Sequence, residues 1–381
     1  MARARKSTMK LIVGDLSPEQ LKYSANYIGS KMRLVNWIWS HTPPQMDSVL
    51  DAFSGSSVVG YTYKTKGLRV VANDRLRWNY HAACAIIENS SITLDENEVE
   101  RLLVHHGGVY TFVQEKFADL FFKPGVHKVI DTIRTNIELS QSGFKESIAL
   151  FALARTCVTC RPGGFGHFCS STEMGFDSGD SPEEFAQRFR ETVQMINALV
   201  FDNGQVNRAT NLDVNDALAE ADVELAYFDP PYATEFSVTN YEKTYHFVEG
   251  LMTYWRDKEF TEGSKLNTYK TTHEVVTRKS AYGFFRRFLG SAQHIPHWII
   301  SYRDKAYPDE EEMAKIIEEF GRISQLESKE HKYYITTAHS DASQANELIY
   351  ICRDPATILK EDTRPQADAQ SAWDDLENQL F

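Results

Sequence analysis

Leu225-Ala-Tyr-Phe-Asp229-Pro230-Pro231-Tyr232 is an apolar run closed by a carboxylate, two prolines and an aromatic ring, the pattern of a buried strand ending at a sheet edge. Each proline locks its own φ near about −65°, lacks an N–H, and pushes the residue before it out of the helical region. Asp229 and Pro230 are therefore both held extended, with two carbonyls and one carboxylate fixed at the strand end. A corner made only of acceptors suits a planar guest with an exocyclic amine, held by its N–H groups while Tyr232 stacks on its face. A nucleobase has that shape. A strand that merely ends in a proline-rich turn explains the same letters, so the neighbouring segments decide.

The chain has 381 residues, 42% of them hydrophobic, which suits one large α/β catalytic domain with an inserted or appended smaller one. No window approaches a membrane span and no apolar run follows the basic start Met1-Ala-Arg-Ala-Arg-Lys6, so a cytoplasmic protein without membrane contact is expected. Five cysteines fit reduced thiols better than a disulfide framework. A net charge of −12 argues against coating nucleic acid by bulk charge, but a local basic cleft stays open. Between Arg256 and Arg287 eight basic residues face four acidic ones, with Tyr269, Tyr282, Phe284 and Phe285 interleaved. This segment is where phosphate contacts are expected, from Arg278, Lys279, Arg286 and Arg287. A solvated face over core aromatics is the plainer alternative.

Along the chain, residues 1–20 read as a poorly ordered basic arm. Tyr27-Ile-Gly29-Ser30-Lys31 then leads into Met32–Trp39 at helical spacing, so a glycine turn with Ser30 at the N-cap and Lys31 just beyond reads as an anion or cofactor contact. Ser48–Gly60 holds a short apolar strand, then Asp51, Phe53 and a run of small residues opening a helix, an arrangement that lets a ligand approach the backbone in doubly wound sheets. It lacks the three-glycine dinucleotide fingerprint, which counts against NAD. Leu68–Asp74 supplies a second strand, and Asp74 follows Gly55 by nineteen residues, near the spacing at which an acid reaches a ribose hydroxyl.

Residues 91–205 read as an inserted helical lobe, with Val126, Ile130, Ile133 and Ile137 on one stripe and a capping box at Ser181-Pro182-Glu183-Glu184. Inside it Cys157, Cys160, His167 and Cys169 could be drawn as a zinc site, but Cys157 continues an apolar helical run and a buried helix is the simpler reading; no metal is assigned. Arg161 and His167 flank a glycine-rich loop that could touch a phosphate or base. Strand character returns near Val206–Asn211, followed by Asp213 and Asp216. It returns again at His297–Arg303, Tyr333–Thr337 and Glu347–Cys352, with a helix over Glu310–Phe320 and the last two strands forming a hairpin. Residues 21–90 and 206–355 thus form the catalytic domain, and 356–381 an acidic tail.

Taken in order, Tyr27-Ile-Gly29-Ser30-Lys31, Asp51-Ala-Phe53-Ser-Gly55, Asp74 and Asp229-Pro-Pro-Tyr232 resemble the Dam-like family of adenine-N6 DNA methyltransferases. The resemblance implies a Rossmann-like, seven-stranded S-adenosyl-L-methionine-dependent methyltransferase sheet with an antiparallel hairpin at one edge. It implies S-adenosyl-L-methionine as cofactor, with Tyr27 and Lys31 by the methionine moiety, Asp51, Phe53 and Gly55 at the cofactor floor, Asp74 on the ribose and Asp213 at the adenine. Asp229, Pro230, Pro231 and Tyr232 would act on a flipped adenine in double-stranded DNA, and the lobe would recognise the target. The family's further glycine is Ser57 here. Restriction or defence proteins are candidate partners; methylation of cytosine N4 or RNA adenine, or an inactive recognition subunit, are the alternatives.

Overall fold

The computed structural model describes residues 16–17, 21–161, 168, 179–234, 240–332 and 344–356. The expected arm, tail and 333–337 strand, and also His167 and Cys169, fall wholly or largely outside them. Nine strands are present among the described residues: β1 (Ser48–Asp51), β2 (Arg69–Asn73), β3 (Arg208–Thr210), β4 (Leu225–Phe228), β5 (Ala233–Thr234), β6 (His297–Arg303), β7 (Ala306–Tyr307), β8 (Ile323–Lys332) and β9 (Gln344–Arg353). Seven build one sheet in the order β3-β2-β1-β4-β6-β9-β8, and β5 pairs with β7 beside it. Five strands run parallel, while β9 is antiparallel to both β6 and β8. The strand that pairs with β9 at this edge is β8, upstream of the expected Tyr333–Thr337, which lies outside the described residues.

Alternation along the strands explains how one sheet holds two cores. Val49, Val70, Leu225, Tyr227, Ile299 and Ile349 face a cluster completed by the helices Val126–Ser140, Gly143–Cys160 and Pro182–Leu199. Their neighbours Leu50, Ala226, Phe228, Trp298, Ile300 and Leu348 face the opposite cluster, under the helices Val214–Ala219, Arg278–Ser291 and Glu310–Glu319. Burial on both faces is why β1 and β4 read as continuous apolar runs.

Helix ends follow local chemistry. Ser181 and Glu184 close the expected capping box with Pro182 at the first helical position, and Asp309 with Glu312 do the same for the helix ending at Glu319. Ser30, by contrast, caps nothing: the helix it was expected to open begins at Val35 with Leu34 at the N-cap, because residues 26–34 are used as a turn. Cys157 and Cys160 are buried in the Gly143–Cys160 helix as free thiols, and no metal-ligand cluster occurs among the described residues. No helix among the described residues is long and apolar enough to cross a membrane.

Candidate active site

Strand order reverses between β1 and β4, and at such a point the connections diverge and leave a crevice at the strands' carboxyl ends. A cleft opens there, lined by the loops after β1, β2 and β4 together with the turn at residues 27–31 and the segment 273–276. It contains Tyr27, Lys31, Asp51, Phe53, Gly55, Asp74, Asp213, Asp229, Pro231 and Tyr232, so all but one of the residues expected to bind cofactor or perform chemistry line one cavity. Pro230 is buried beneath it.

At the β1 end, Asp51 is buried and its Oδ2 accepts from the Gly60 N–H at 2.9 Å. A Cβ at position 60 would stand 3.1 Å from that oxygen, so the glycine permits the approach. Burial pushes the Asp51 carboxyl up to about 8, with the charges of Asp229 and Asp74 adding and the Gly60 N–H opposing. Gly55 has φ +49°, and a Cβ there would meet the Tyr27 ring at 3.1 Å. Tyr27 is held by stacking on Tyr245, 5.4 Å between centroids and 9° between planes, and by the Asn79 amide donating to its hydroxyl at 3.1 Å. Ser57, where the resemblance implied a glycine, adopts φ 58°, in the left-handed region that favours glycine, and its buried hydroxyl lacks a partner among the described residues.

Asp74 accepts from the Gly55 N–H at 2.7 Å and the Leu76 N–H at 2.8 Å, tying the β1 and β2 loops together. Burial raises its carboxyl above the ordinary value despite these donors. Asp213 caps the Val214–Ala219 helix through Asn215 N–H at 3.0 Å and stands 3.3 Å from Arg75.

The proline corner is organised by an ion cluster. Lys31 Nζ donates to Asp229 Oδ1 at 2.7 Å and to the Tyr232 hydroxyl at 2.7 Å, and lies 3.4 Å from Glu347 Oε1. The Tyr232 hydroxyl reaches Asp229 Oδ1 at 3.0 Å, with Glu347 Oε1 at 3.2 Å as its other acceptor. Burial pushes the Asp229 carboxyl up to about 6, Lys31 pulls it down and Glu347 adds to the rise. Burial alone would lower the Lys31 ammonium, but Asp229 and Glu347 overcome it and hold Lys31 above its ordinary value. Lys31, expected beside a methionine moiety, thus spends its ammonium on the carboxylate. Among the described residues nothing donates to Asp229 Oδ2.

The basic segment is less free than its composition suggested. Arg286 pairs with Glu319 at 2.7 Å, Arg287 with Glu274 at 2.7 Å, Arg256 with Glu138 at 2.7 Å, and Lys270 with Glu259. Arg278 lies over the Tyr307 ring at 4.3 Å, Lys279 is exposed, and Arg287 alone of these lines the cleft. Tyr269 and Phe285 are core residues, as the plainer alternative held. Arg161 is a correction: it is buried, with its guanidinium 5.3 Å from the Phe121 ring and 5.2 Å from Phe168, so it serves the lobe's core and presents no surface to a phosphate.

Residues 27–299 match the family model of D12 class N6 adenine-specific DNA methyltransferases, a span that takes in β1, β4, the proline corner and the helices between Glu96 and Leu199. The chain belongs to this family. Its enzymes methylate adenine N6 in DNA with S-adenosyl-L-methionine as donor. The chain is 24% identical over 340 residues to the type II methyltransferase M2.HphI of Haemophilus parahaemolyticus, covering 86% of this chain and 96% of that protein. It is 24% identical to the modification methylase StsI of Streptococcus sanguinis, covering 89% of this chain and 53% of the relative, and thus spans about half of that protein. It is 22% identical to the type II methyltransferase M.NlaIII of Neisseria lactamica, covering 84% and 96%.

The cleft suits the family's cationic cofactor. Asp51 Oδ1, Ser54 Oγ and Asn79 Oδ1 are buried atoms on its wall with no hydrogen-bond partner among the described residues, and a sulfonium or ammonium group would satisfy such acceptors. Glu347, Ser301, Gly60 and Tyr245 belong to the site's support and carry no sequence motif. The one available signal was an acid, Glu347, opening the otherwise apolar strand Leu348–Cys352.

Proposed function

We propose that Asp229 is the acceptor that activates the adenine amine, with Tyr232 as the stacking surface and Lys31 fixing the carboxylate's orientation. The observation that supports this most is the division of labour between the two Asp229 oxygens. Oδ1 is held by Lys31 and Tyr232, and Oδ2 is left for a substrate N–H. The Pro230 carbonyl, extended by Pro231, accepts the second N–H. Adenine's amine is a weak nucleophile because its lone pair is delocalised into the ring. Two acceptors draw the nitrogen toward tetrahedral geometry and aim the lone pair. S-adenosyl-L-methionine supplies the electrophilic methyl group; the nitrogen lone pair forms the new N–C bond and the C–S electrons remain on sulfur. One amine proton must leave, and Asp229, raised to about 6, is ionised enough at neutral pH to receive it before passing it to solvent.

The base must leave the duplex to reach this corner, at roughly a few kcal/mol. Target recognition is assigned to the lobe at 91–205, joined by the segment 240–270 that packs on it: Arg134 donates to the carbonyls of Leu251 and Met252. The relatives named above are type II modification enzymes, and by that likeness this chain would act in the cytoplasm as the modification half of a restriction system. The test is transfer of a tritiated methyl group from S-adenosyl-L-methionine to duplex DNA of diverse sequence. Label should appear as N6-methyladenine with the wild type and be lost in Asp229→Ala. Full activity in Asp229→Ala would remove Asp229 from the mechanism.

A further inference from the structure

We propose that Glu347 is a positioning residue for methyl transfer, a carboxylate outside the cleft that holds Lys31 and Tyr232 against one oxygen of Asp229 and sets the charge under which Asp229 works. The proposal rests on the assignment of Asp229 made above. Glu347 is fully buried on β9, where an apolar residue would be expected between β6 and β8. It does not line the cleft, so it reaches the substrate only through other side chains. Its Oε1 accepts from Ser301 Oγ at 2.7 Å, stands 3.2 Å from the Tyr232 hydroxyl and 3.4 Å from Lys31 Nζ. The last two are the groups that occupy Asp229 Oδ1.

The arrangement has a physical consequence. One cation between two buried carboxylates leaves the cluster with a net negative charge, which favours the positive charge that develops on the amine during methyl transfer. It also ties two mobile groups to one oxygen. Without Glu347 the Tyr232 hydroxyl loses one acceptor, and Lys31 loses a counter-charge that draws it away from the oxygen that the amine needs.

Charge also links Glu347 to the acidity of Asp229. Its negative charge disfavours a second negative charge nearby, so neutralising it lowers the pH at which Asp229 ionises. The other titratable groups facing the cluster are Lys31 from the 27–31 turn, Asp51 from β1, Tyr227 from β4, Tyr241 and Asp74. Arg303 on β6 and Lys329 on β8 stand opposite Glu347 in register. Glu347→Gln leaves all of these side chains in place, and the groups that the Glu347 charge itself raises, Lys31, Tyr227 and Tyr241, are an amine and two phenols rather than carboxyls of an acidic limb, so a movement of that limb reports Glu347 acting on Asp229.

The experiment is the pH dependence of single-turnover methylation by the full chain, with S-adenosyl-L-methionine binding measured in parallel. Wild type should show an acidic limb near 6, the value for Asp229. Glu347→Gln should slow turnover by about 10- to 100-fold at neutral pH and move the limb down by roughly one pH unit, with cofactor affinity unchanged. Glu347→Asp should restore the limb. Slower turnover with an unmoved limb would mean that Glu347 only supports the fold, and would overturn the proposal, as would wild-type turnover. If Glu347→Gln does not fold, Glu347→Met, a neutral apolar side chain of similar volume for this buried position, should move the limb in the same direction; an unmoved limb there also overturns it. Activity in Asp229→Ala would instead show that the underlying assignment has failed.

Discussion

Removing Lys31 should destabilise the protein in a strongly pH-dependent way. The side chains of Lys31, Asp229 and Glu347 are 4%, 20% and 1% exposed, so Lys31→Met strands two carboxylates, one with almost no access to water. Breaking a buried pair from one side costs about 3–5 kcal/mol. The molecule can limit that cost by protonating Glu347. At pH 7 this escape costs at most 1.36 kcal/mol for each of the roughly 2.7 pH units above the ordinary glutamate value, about 3.7 kcal/mol. At pH 5 the same reckoning gives about 1 kcal/mol.

The sign follows from linkage: in the variant the folded-state carboxyl titrates above its unfolded value, so stability is fully present below about pH 4 and falls as pH rises. Urea unfolding followed by tryptophan fluorescence at pH 5 and 7 measures both values. Adding Glu347→Gln removes the stranded charge, so the double variant should recover about 2 kcal/mol or more over Lys31→Met at pH 7, a coupling of the size that contacting residues show. An equal loss at both pH values, or a double variant no more stable than Lys31→Met, would refute the claim that the ammonium is there to balance these acids.

Ser57 sits in the left-handed region with its hydroxyl buried and unpaired among the described residues. Ser57→Gly should therefore raise stability by about 1 kcal/mol in urea melts, and a loss would show that the conformation carries no strain. Asp51 is raised to about 8 by burial and is mostly protonated at pH 7. A cationic cofactor should ionise it, so titration calorimetry in buffers of different ionisation enthalpy should show proton release on S-adenosyl-L-methionine binding and affinity rising from pH 7 to 8. Asp51→Asn should abolish the release, and unchanged release in that variant would exclude Asp51 as its source. Of the basic segment, both arginines are paired, Arg287 with Glu274 and Arg286 with Glu319, but Arg287 borders the cleft and Arg286 does not. Arg287→Ala should lower the slope of log affinity against log salt by about 1, and Arg286→Ala by less; equal slopes would place the phosphates elsewhere.

What the sequence by itself determined is what short-range chemistry encodes. The apolar runs Val49–Leu50 and Leu225–Phe228 had to be strands buried on both faces, because no alternating polar residue leaves a face for water. The glycine at 55, the paired prolines and the capping box at Ser181 each dictate backbone geometry within a few residues. Their order along the chain therefore marked both the sheet and the cleft at its carboxyl edge.

The structure alone decided how charges are spent. Lys31 and Asp229 are 198 residues apart, and Tyr232 and Glu347 are 115 apart, and no local pattern specifies which acid a lysine will meet. For the same reason Arg256 and Arg286 of a basic-looking stretch turned out to be paired with Glu138 and Glu319 from other parts of the chain, and Arg161 went into a core of phenylalanine rings. Backbone geometry is a local property and can be read in sequence. The energy of a buried charge depends on whatever the completed fold brings within a few ångströms of it, which is why Glu347 became visible only when β9 was laid beside β6.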